Sequence, residues 1–384
     1  MARHSPGALR RSRHLVSYWH AGELLFHNYA TGVRVAVRPE TSAVLDFFEE
    51  WRTPAEVRER FGARPDALAP LIEATLLERM KDPPTPQVVA LDAWADWNPA
   101  AGFFHMSTRG AAFLDPLIGD RRLRRKAQTL PPPPPVKRIA GAKRHTFDKL
   151  RVDRDLQRVL HERRTWRTFA RQPLSLPVLG NLLGWTTGVQ QWATLRGQGE
   201  LPMKTSPSGG SRHPLELYVC ARRVDGLAPG IYHYASDDHC LELVTRHKRP
   251  ARVQRYLPTQ FYYEGAAALL FFTARFDRYQ WKYETARAYR AVFIEAGHQC
   301  QTFCLMATDL GLAPFCSMAL ADREIETDLR IDGVSEAAVY AAGVGVRPDN
   351  TVSPSRPAGY PPLPVRPNLK LLAVTPRSAR RTRP

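Results

Sequence analysis

One lysine stands in a stretch crowded with rings, "YQWKYETARAY", where Lys282 lies between Trp281 and Tyr283 with Tyr279 and Tyr289 close by. Two readings are open to it. Most lysines lay the methylene stem over apolar surface and keep the ammonium in water. A lysine walled by aromatic side chains is instead poorly solvated as a cation, which lowers its pKa toward neutrality. Three further stretches carry groups suited to a flat anion. In "RRTWRTF", Arg163, Arg164 and Arg167 crowd around Thr165, and guanidinium forks donate paired bonds to phosphate or to the polar edge of a ring. In "SPSGGSRHP", Pro207 and Ser208 lead into Gly209, Gly210 and Ser211; the hydroxyl of Ser208 and the side-chain-free backbone of the glycines can approach a ligand closely. In "GVGVRP", Arg347 follows Gly343 and Gly345. Each stretch alone has an ordinary structural reading: a solvated basic face, a turn, close packing. Cys300 and Cys304, four apart with His298 nearby, read as core cysteines, because no second ligand pair and no zinc or iron–sulfur spacing accompanies them. Phe303 and Met306 read as packing, and Glu295 as a buried polar group.

The elements that must position these residues follow from periodicity. "LVSYWHAGELLFHNYATGVRVAV" holds two or three strand-like runs broken at Ala21-Gly22 and Thr31-Gly32. Helical spacing follows in "ETSAVLDFFEEW" and "DALAPLIEATLLERM", with a short helix between them capped by Thr53 and opened by Pro54. This strand-and-helix set has a winged-helix composition. Residues 83–146 read as an irregular, proline-rich basic linker containing "PPPPP" at 131–135. Beyond it, "DRDLQRVLHERR" and "LSLPVLGNLLGWTTG" predict helices, the second with Ser175 as N-cap and Pro177 in its first turn. "PLELYVCARR", "GIYHYA", "CLELVT", "AAALLFFTARF" and "AAVYAAGVGV" predict strands, and a long helix is expected from about Tyr283 to Leu310, ended by Gly311. The organisation is therefore a basic tail (1–14), a winged-helix-like module for peptide or partner recognition (15–82), a linker (83–146), a larger domain (147–348) and a Pro/Arg-rich tail (349–384).

A chain of 384 residues is long enough for two or three domains. Its formal charge of +18 suggests a polyanion partner, but residues 1–14, 121–144 and 366–384 carry four, nine and six basic residues and no acid, leaving the rest near neutrality. The excess thus belongs to tails and linker, and no nucleic-acid partner is expected. Five cysteines without dense spacing imply a reducing compartment. The basic N-terminus lacks an apolar core, and the longest apolar run, "GAAALLFF", is too short to span a bilayer, so a cytoplasmic chain with no membrane partner is expected.

In their order along the chain, the three anion-suited stretches resemble the FMN-binding nitroreductase family. "ERRTWRTF" is similar to that family's opening Arg-Arg-Ser-x-Arg-x-Phe element, with Thr165 in place of the serine. "PSGGSRHPLELY" and the hairpin "PGIYHYASDDHCLELV" resemble the branch of SagB-type, streptolysin-like peptide dehydrogenases and cyanobactin azoline oxidases; the resemblance covers roughly 150–348, and "LVSYWHAGELLFHNYATG" looks like that branch's N-terminal domain. The resemblance implies an α+β fold: a nitroreductase-like FMN domain, with a mixed central sheet flanked by helices, preceded by a small winged-helix-like domain. It implies FMN held by Arg163, Arg164, Thr165, Arg167, Pro207, Ser208, Gly209, Gly210, Ser211, Ser317, Gly343, Gly345 and Arg347, and a homodimer with the helix of Glu295 at the subunit seam. It also implies that Lys282 and Tyr283 form the catalytic base. An azoline becomes an azole by losing a proton from one ring carbon and a hydride to flavin from its neighbour.

The activity so implied is FMN-dependent oxidation of an azoline to a thiazole or oxazole in a peptide or peptide-like natural product, with oxygen taking the electrons and a cyclodehydratase as partner. Three alternatives stay open: an NAD(P)H-dependent nitro or quinone reductase, an oxidase or cyclase of an N-acyl amino acid, and a binding protein that has kept the fold.

Overall fold

The computed structural model describes residues 7–62, 68–130, 150–152, 154–195, 199–348 and 372–374. The chain divides into two compact units, one of Met1–Ala111, Ala274–Ile294 and Ile331–Ala337, the other of Ala112–Thr273, Glu295–Arg330 and Ala338–Pro384.

In the first unit, β1 (Leu9–Arg11) is followed by β2 (Leu15–His20), β3 (Glu23–Asn28) and β4 (Val33–Val37), which form an antiparallel sheet in that order. The reversals fall at the two expected breaks, where Gly22 and Gly32 take φ of 84° and 76°, values that cost glycine little. Helices α1 (Glu40–Phe47) and α2 (Pro54–Phe61) follow. The second is opened by a capping box: the Thr53 hydroxyl accepts from the Glu56 N–H, and a Glu56 carboxylate oxygen accepts from the Thr53 N–H at 2.7 Å.

The expected helix over "DALAPLIEATLLERM" is cut short. Among the described residues α3 spans only Ala69–Glu73, Thr75 takes φ 56°, and Leu77–Arg79 form β5, antiparallel to β1. The Asn28 amide fixes this reversal by donating to the Thr75 carbonyl at 2.7 Å, and β1 offers an edge to pair with. Leu76 and Leu77 are still buried, with Phe26, Leu45, Phe48 and Val57, so their apolar character was read correctly and their geometry was not. The reading of 1–14 as a basic tail also gives way from residue 7 onward: Arg10, Arg11 and Arg13 pair with Glu78, Asp46 and Asp92. Residues 1–6 lie outside the described residues.

The segment read as irregular linker is largely helical where described, with α4 (Pro86–Asp92), α5 (Ala100–Thr108) and α6 (Pro116–Thr129). The prolines misled because Pro86 and Pro116 occupy first helical positions behind Thr85 and Asp115 caps, where a missing N–H costs nothing. "PPPPP" lies outside the described residues. Nor does the first core close before this segment. The Trp94 indole N–H donates to the Val334 carbonyl at 3.3 Å, the Trp97 indole to the Tyr283 carbonyl at 2.9 Å, and His105 bridges the Tyr289 hydroxyl and the Gly333 carbonyl, each at 2.8 Å. Trp94 also packs on Phe276, with centroids 4.9 Å apart. Residues 94–105 thus complete one core with 276–289 and 333–334 rather than linking two cores.

The remaining described elements, in chain order, are β6 (Leu150–Val152), α7 (Asp155–Glu162), β7 (Leu174–Ser175), α8 (Leu176–Thr187), β8 (Val189–Leu195), β9 (Gly199–Lys204), β10 (Leu215–Ala221), β11 (Val224–Asp225), β12 (Gly230–Ala235), β13 (Cys240–Arg246), α9 (Val253–Tyr256), β14 (Ala268–Arg275), α10 (Phe276–Gln280), α11 (Ala288–Asp309), β15 (Leu312–Ser317), α12 (Asp322–Leu329), β16 (Glu336–Val346) and β17 (Leu372–Val374). Six of these strands form the main sheet, in the order β13-β12-β10-β14-β16-β15. Central β14 is buried from Ala268 to Ala274, an apolar run broken only by buried Thr273. Ser175 stands at the N-cap of α8 without a side-chain cap bond. The long helix begins at Ala288, later than expected, and Gly311, at φ 72°, turns the chain from α11 into β15. β17, within the expected Pro/Arg-rich tail, pairs parallel with β6; the rest of 349–384 lies outside the described residues.

Candidate functional site

In the second unit the arginine stretch is laid along β15 and β16. The Trp166 N–H donates to the Pro314 carbonyl and the Ala170 N–H to the Val346 carbonyl, both at 2.9 Å. Their glycines serve packing. A Cβ on Gly343 would meet the Phe315 ring at 2.3 Å, and one on Gly345 the Phe169 ring at 2.7 Å, so both positions must stay bare for the rings to fit. Arg347 is likewise committed: its guanidinium donates to the Leu312 carbonyl at 2.8 Å and the Thr308 carbonyl at 3.2 Å, and lies 5.2 Å from the Trp166 ring centroid. Arg164 turns back on the end of α7, onto the carbonyls of His161 and Arg163. Ser317 bonds Gln260 at 2.8 Å and accepts from the Ala319 N–H. These side chains are spent on the fold in this conformation.

Arg163 and Arg167 differ. Both are half-buried, and among the described residues no carboxylate is ion-paired with either. Arg167 lies 5.6 Å from the Tyr262 ring centroid, and its charge draws the Tyr263 hydroxyl down against the stronger upward pull of burial. Half-buried Thr165 lies between them in sequence. Two half-buried guanidinium groups with no ion-paired carboxylate among the described residues suit an anionic ligand.

The glycine loop leans on α11. The Gly209 N–H donates to Glu295 Oε1 at 2.9 Å, the Ser206 and Thr302 hydroxyls are 2.9 Å apart, and the Ser208 hydroxyl accepts from the His213 N–H at 2.8 Å. Gly210 and Ser211 take φ of 58° and 53°, while Pro207 and Gly209 are exposed. Successive left-handed residues turn N–H groups toward one side, and one of the loop's N–H groups already holds a carboxylate. Arg163, Arg167 and this loop each offer donors suited to a flat phosphate-bearing cofactor, and Glu295, read from sequence as a buried polar group, holds the loop.

Lys282 and Tyr283 belong to the first unit and occupy the turn after α10, ahead of α11. The Lys282 and Tyr283 N–H groups both donate to the Tyr279 carbonyl, at 3.1 and 2.8 Å. Lys282 is half-buried with Nζ 5.9 Å from the Tyr283 ring centroid, and Tyr283 packs edge-on against buried Tyr279. Trp281 is 63% exposed. In the same unit a cavity of about 560 Å³ is lined by Phe104, Tyr289, Phe293, Arg287 and Arg290.

The sequence reading also missed Cys316, whose sulfur joins those of Cys300 and Cys304. It stands twelve residues beyond Cys304, and the turn at Gly311 was the one available signal.

The nitroreductase family pattern matches residues 160–346. MJ1384 of Methanocaldococcus jannaschii, which bears a nitroreductase name, is 32% identical over 176 residues, covering 46% of this chain and 84% of MJ1384. The chain belongs to the nitroreductase family. As a nitroreductase-family chain it is also similar to the trifolitoxin-processing protein TfxB of Rhizobium leguminosarum bv. trifolii, 30% identical over 173 residues; the match covers 44% of this chain and 46% of TfxB, under half of that relative. The E. coli microcin synthetase McbBCD complex with truncated pro-MccB17 bound aligns over 68% of this chain and 98% of the matched chain, at 18% identity and a TM-score of 0.47. The α+β architecture and the family expected from sequence both hold for this nitroreductase-family oxidoreductase. No helix among the described residues is long and apolar enough to cross a membrane.

Proposed function

We propose that this nitroreductase-family protein is an FMN-dependent dehydrogenase that oxidises an azoline to an azole in a peptide or peptide-like natural product. The observation that carries this reading is the held Lys282–Tyr283 turn. Its backbone is tied at the Tyr279 carbonyl and, through the Tyr283 carbonyl, to the Trp97 indole, so an amine and a phenol are presented together on a rigid support, as a general base requires. Similarity to TfxB, named a trifolitoxin-processing protein, supports a role in processing a natural product.

FMN, when bound, supplies the acceptor for the substrate's hydride. Arg163 and Arg167 bind its anionic and polar edges, and the 207–211 loop, held by Glu295, sets the backbone against it. Lys282 Nζ takes the proton from the azoline carbon, and Tyr283 Oη shares or relays it. In the unit that carries Lys282, the cavity lined by Phe104, Tyr289 and Phe293, within the size range of small-ligand pockets, offers apolar surface for a substrate, and an edge of the β2-β3-β4 sheet pairs with an extended peptide. A homodimer, a cyclodehydratase partner and oxygen as electron acceptor complete the proposal.

The second reading, an NAD(P)H-dependent nitro or quinone reductase, is favoured by the similarity to MJ1384. One assay separates the two. The proposal expects conversion of an azoline-bearing peptide under air without NADPH, and no nitroaromatic-dependent NADPH oxidation of comparable rate. The converse result establishes the reductase reading.

A further inference from the structure

Cys300 and Cys304 lie one turn apart on α11 and therefore share a face. Gly311 reverses the chain into β15, which returns Cys316 to that face. All three sulfur atoms lie within 4.8 Å of one another. Cys300 and Cys304 are buried, and Cys316 is half-buried.

We propose that Cys300, Cys304 and Cys316 form a binding site for one soft, closed-shell metal ion of the zinc or copper(I) type. Thiolates bound at about 2.3 Å around a tetrahedral zinc ion stand about 3.8 Å apart, so modest side-chain rotation on the existing backbone closes the triad. A donor set of sulfur alone selects such ions over magnesium, calcium or manganese, which take oxygen. The surroundings suit the charge that results. Zinc displaces three thiol protons and leaves one net negative charge, at a cluster whose third member, Cys316, is only half-buried. Half-buried Cys316 provides the way in and leaves zinc's fourth position for an outside ligand. The bound ion staples α11 to β15 across the Gly311 turn.

The test uses the full-length, reduced protein, stripped with a chelator and titrated with Co²⁺ in the absence of air, with zinc then added in competition. The expected result is a thiolate-to-cobalt absorption in the difference spectrum that saturates at one ion per chain and is displaced by zinc. Cys316→Ser, at a half-buried position, should fold and lose the band, whereas Cys240→Ser, at an exposed position, should keep it. Zinc should raise the melting temperature of the wild type and of Cys240→Ser but not of Cys316→Ser. Absence of the band in the wild type, its survival in Cys316→Ser, or a melting temperature indifferent to zinc in all three proteins would overturn the proposal.

Discussion

The main-chain N–H of Gly209 donates to Glu295 Oε1 at 2.9 Å, so the glycine loop is held by a carboxylate buried on α11. A hydrogen bond to a charged group contributes roughly 1.5–3 kcal/mol. Glu295→Ala should therefore lower stability by about that amount in urea unfolding and reduce the flavin-to-protein ratio, while Glu295→Gln, which keeps an acceptor oxygen, should lose less of both. An alanine variant with wild-type unfolding and full flavin would show that the contact holds nothing.

The arginines should separate into two behaviours. Arg163→Ala with Arg167→Ala removes two guanidinium groups that no carboxylate pairs with among the described residues, so flavin content should collapse, while the flavin-free forms of variant and wild type should melt at nearly the same temperature. Arg347→Ala frees the Leu312 and Thr308 carbonyls and should instead melt earlier, by roughly 2–4 °C for each kcal/mol lost. Flavin content and melting curves on the same preparations check both. Full flavin occupancy in the double variant would mean that Arg163 and Arg167 are mere surface charge.

If Lys282 is the base, Lys282→Ala should cut turnover by about 100- to 10,000-fold while the flavin still bleaches with a chemical reductant. Tyr283→Phe retains the ring that packs on Tyr279 and removes only the hydroxyl, so a smaller loss is expected. Near-normal azoline oxidation by the double variant would move the assignment to the reductase reading.

Two histidines set opposite pH limits on stability. Burial lowers the pKa of His105 from 6.5 to about 4; its neutral form is the one that fits the core, so its contribution is complete above pH 6.5 and is lost as pH falls toward 4. His233 is raised to about 9, first by its hydrogen bond to Glu216 and then by that to Glu242, against desolvation. Its contribution is complete below pH 6.5 and fades as pH rises through 9. Unfolding free energy measured across pH should fall at both ends, with His233→Gln flattening the alkaline limb alone. An unchanged alkaline limb in that variant would remove His233 as its source.

Much of the fold was legible because its signals are local. Thr53, Pro54 and Glu56 specify the start of α2 through bonds within one turn, and the short, largely apolar run of β14 reads as a buried strand. The segment 83–130 was not legible, because a proline at a helix's first residue and a proline in a linker look alike until the cap is seen. Leu76 and Leu77 were marked as core by composition, yet the strand they occupy exists only because β1 lies alongside.

By itself the sequence determined the residue types on which any chemistry depends: the guanidinium groups of the arginine stretch, the glycines, and the adjacent amine and phenol of Lys282 and Tyr283. Their type and order are covalent facts. Tertiary structure alone decided how they are spent. Arg163 and Arg347 are the same side chain, but packing gives the first no ion-paired acid among the described residues and the second two carbonyls. Gly209 meets Glu295, 86 positions away, and Cys316 meets Cys300 and Cys304 only because the chain reverses at Gly311. Such partners are set by which surfaces a collapsed chain brings within about 3–4 Å, a distance that spacing along the sequence does not encode.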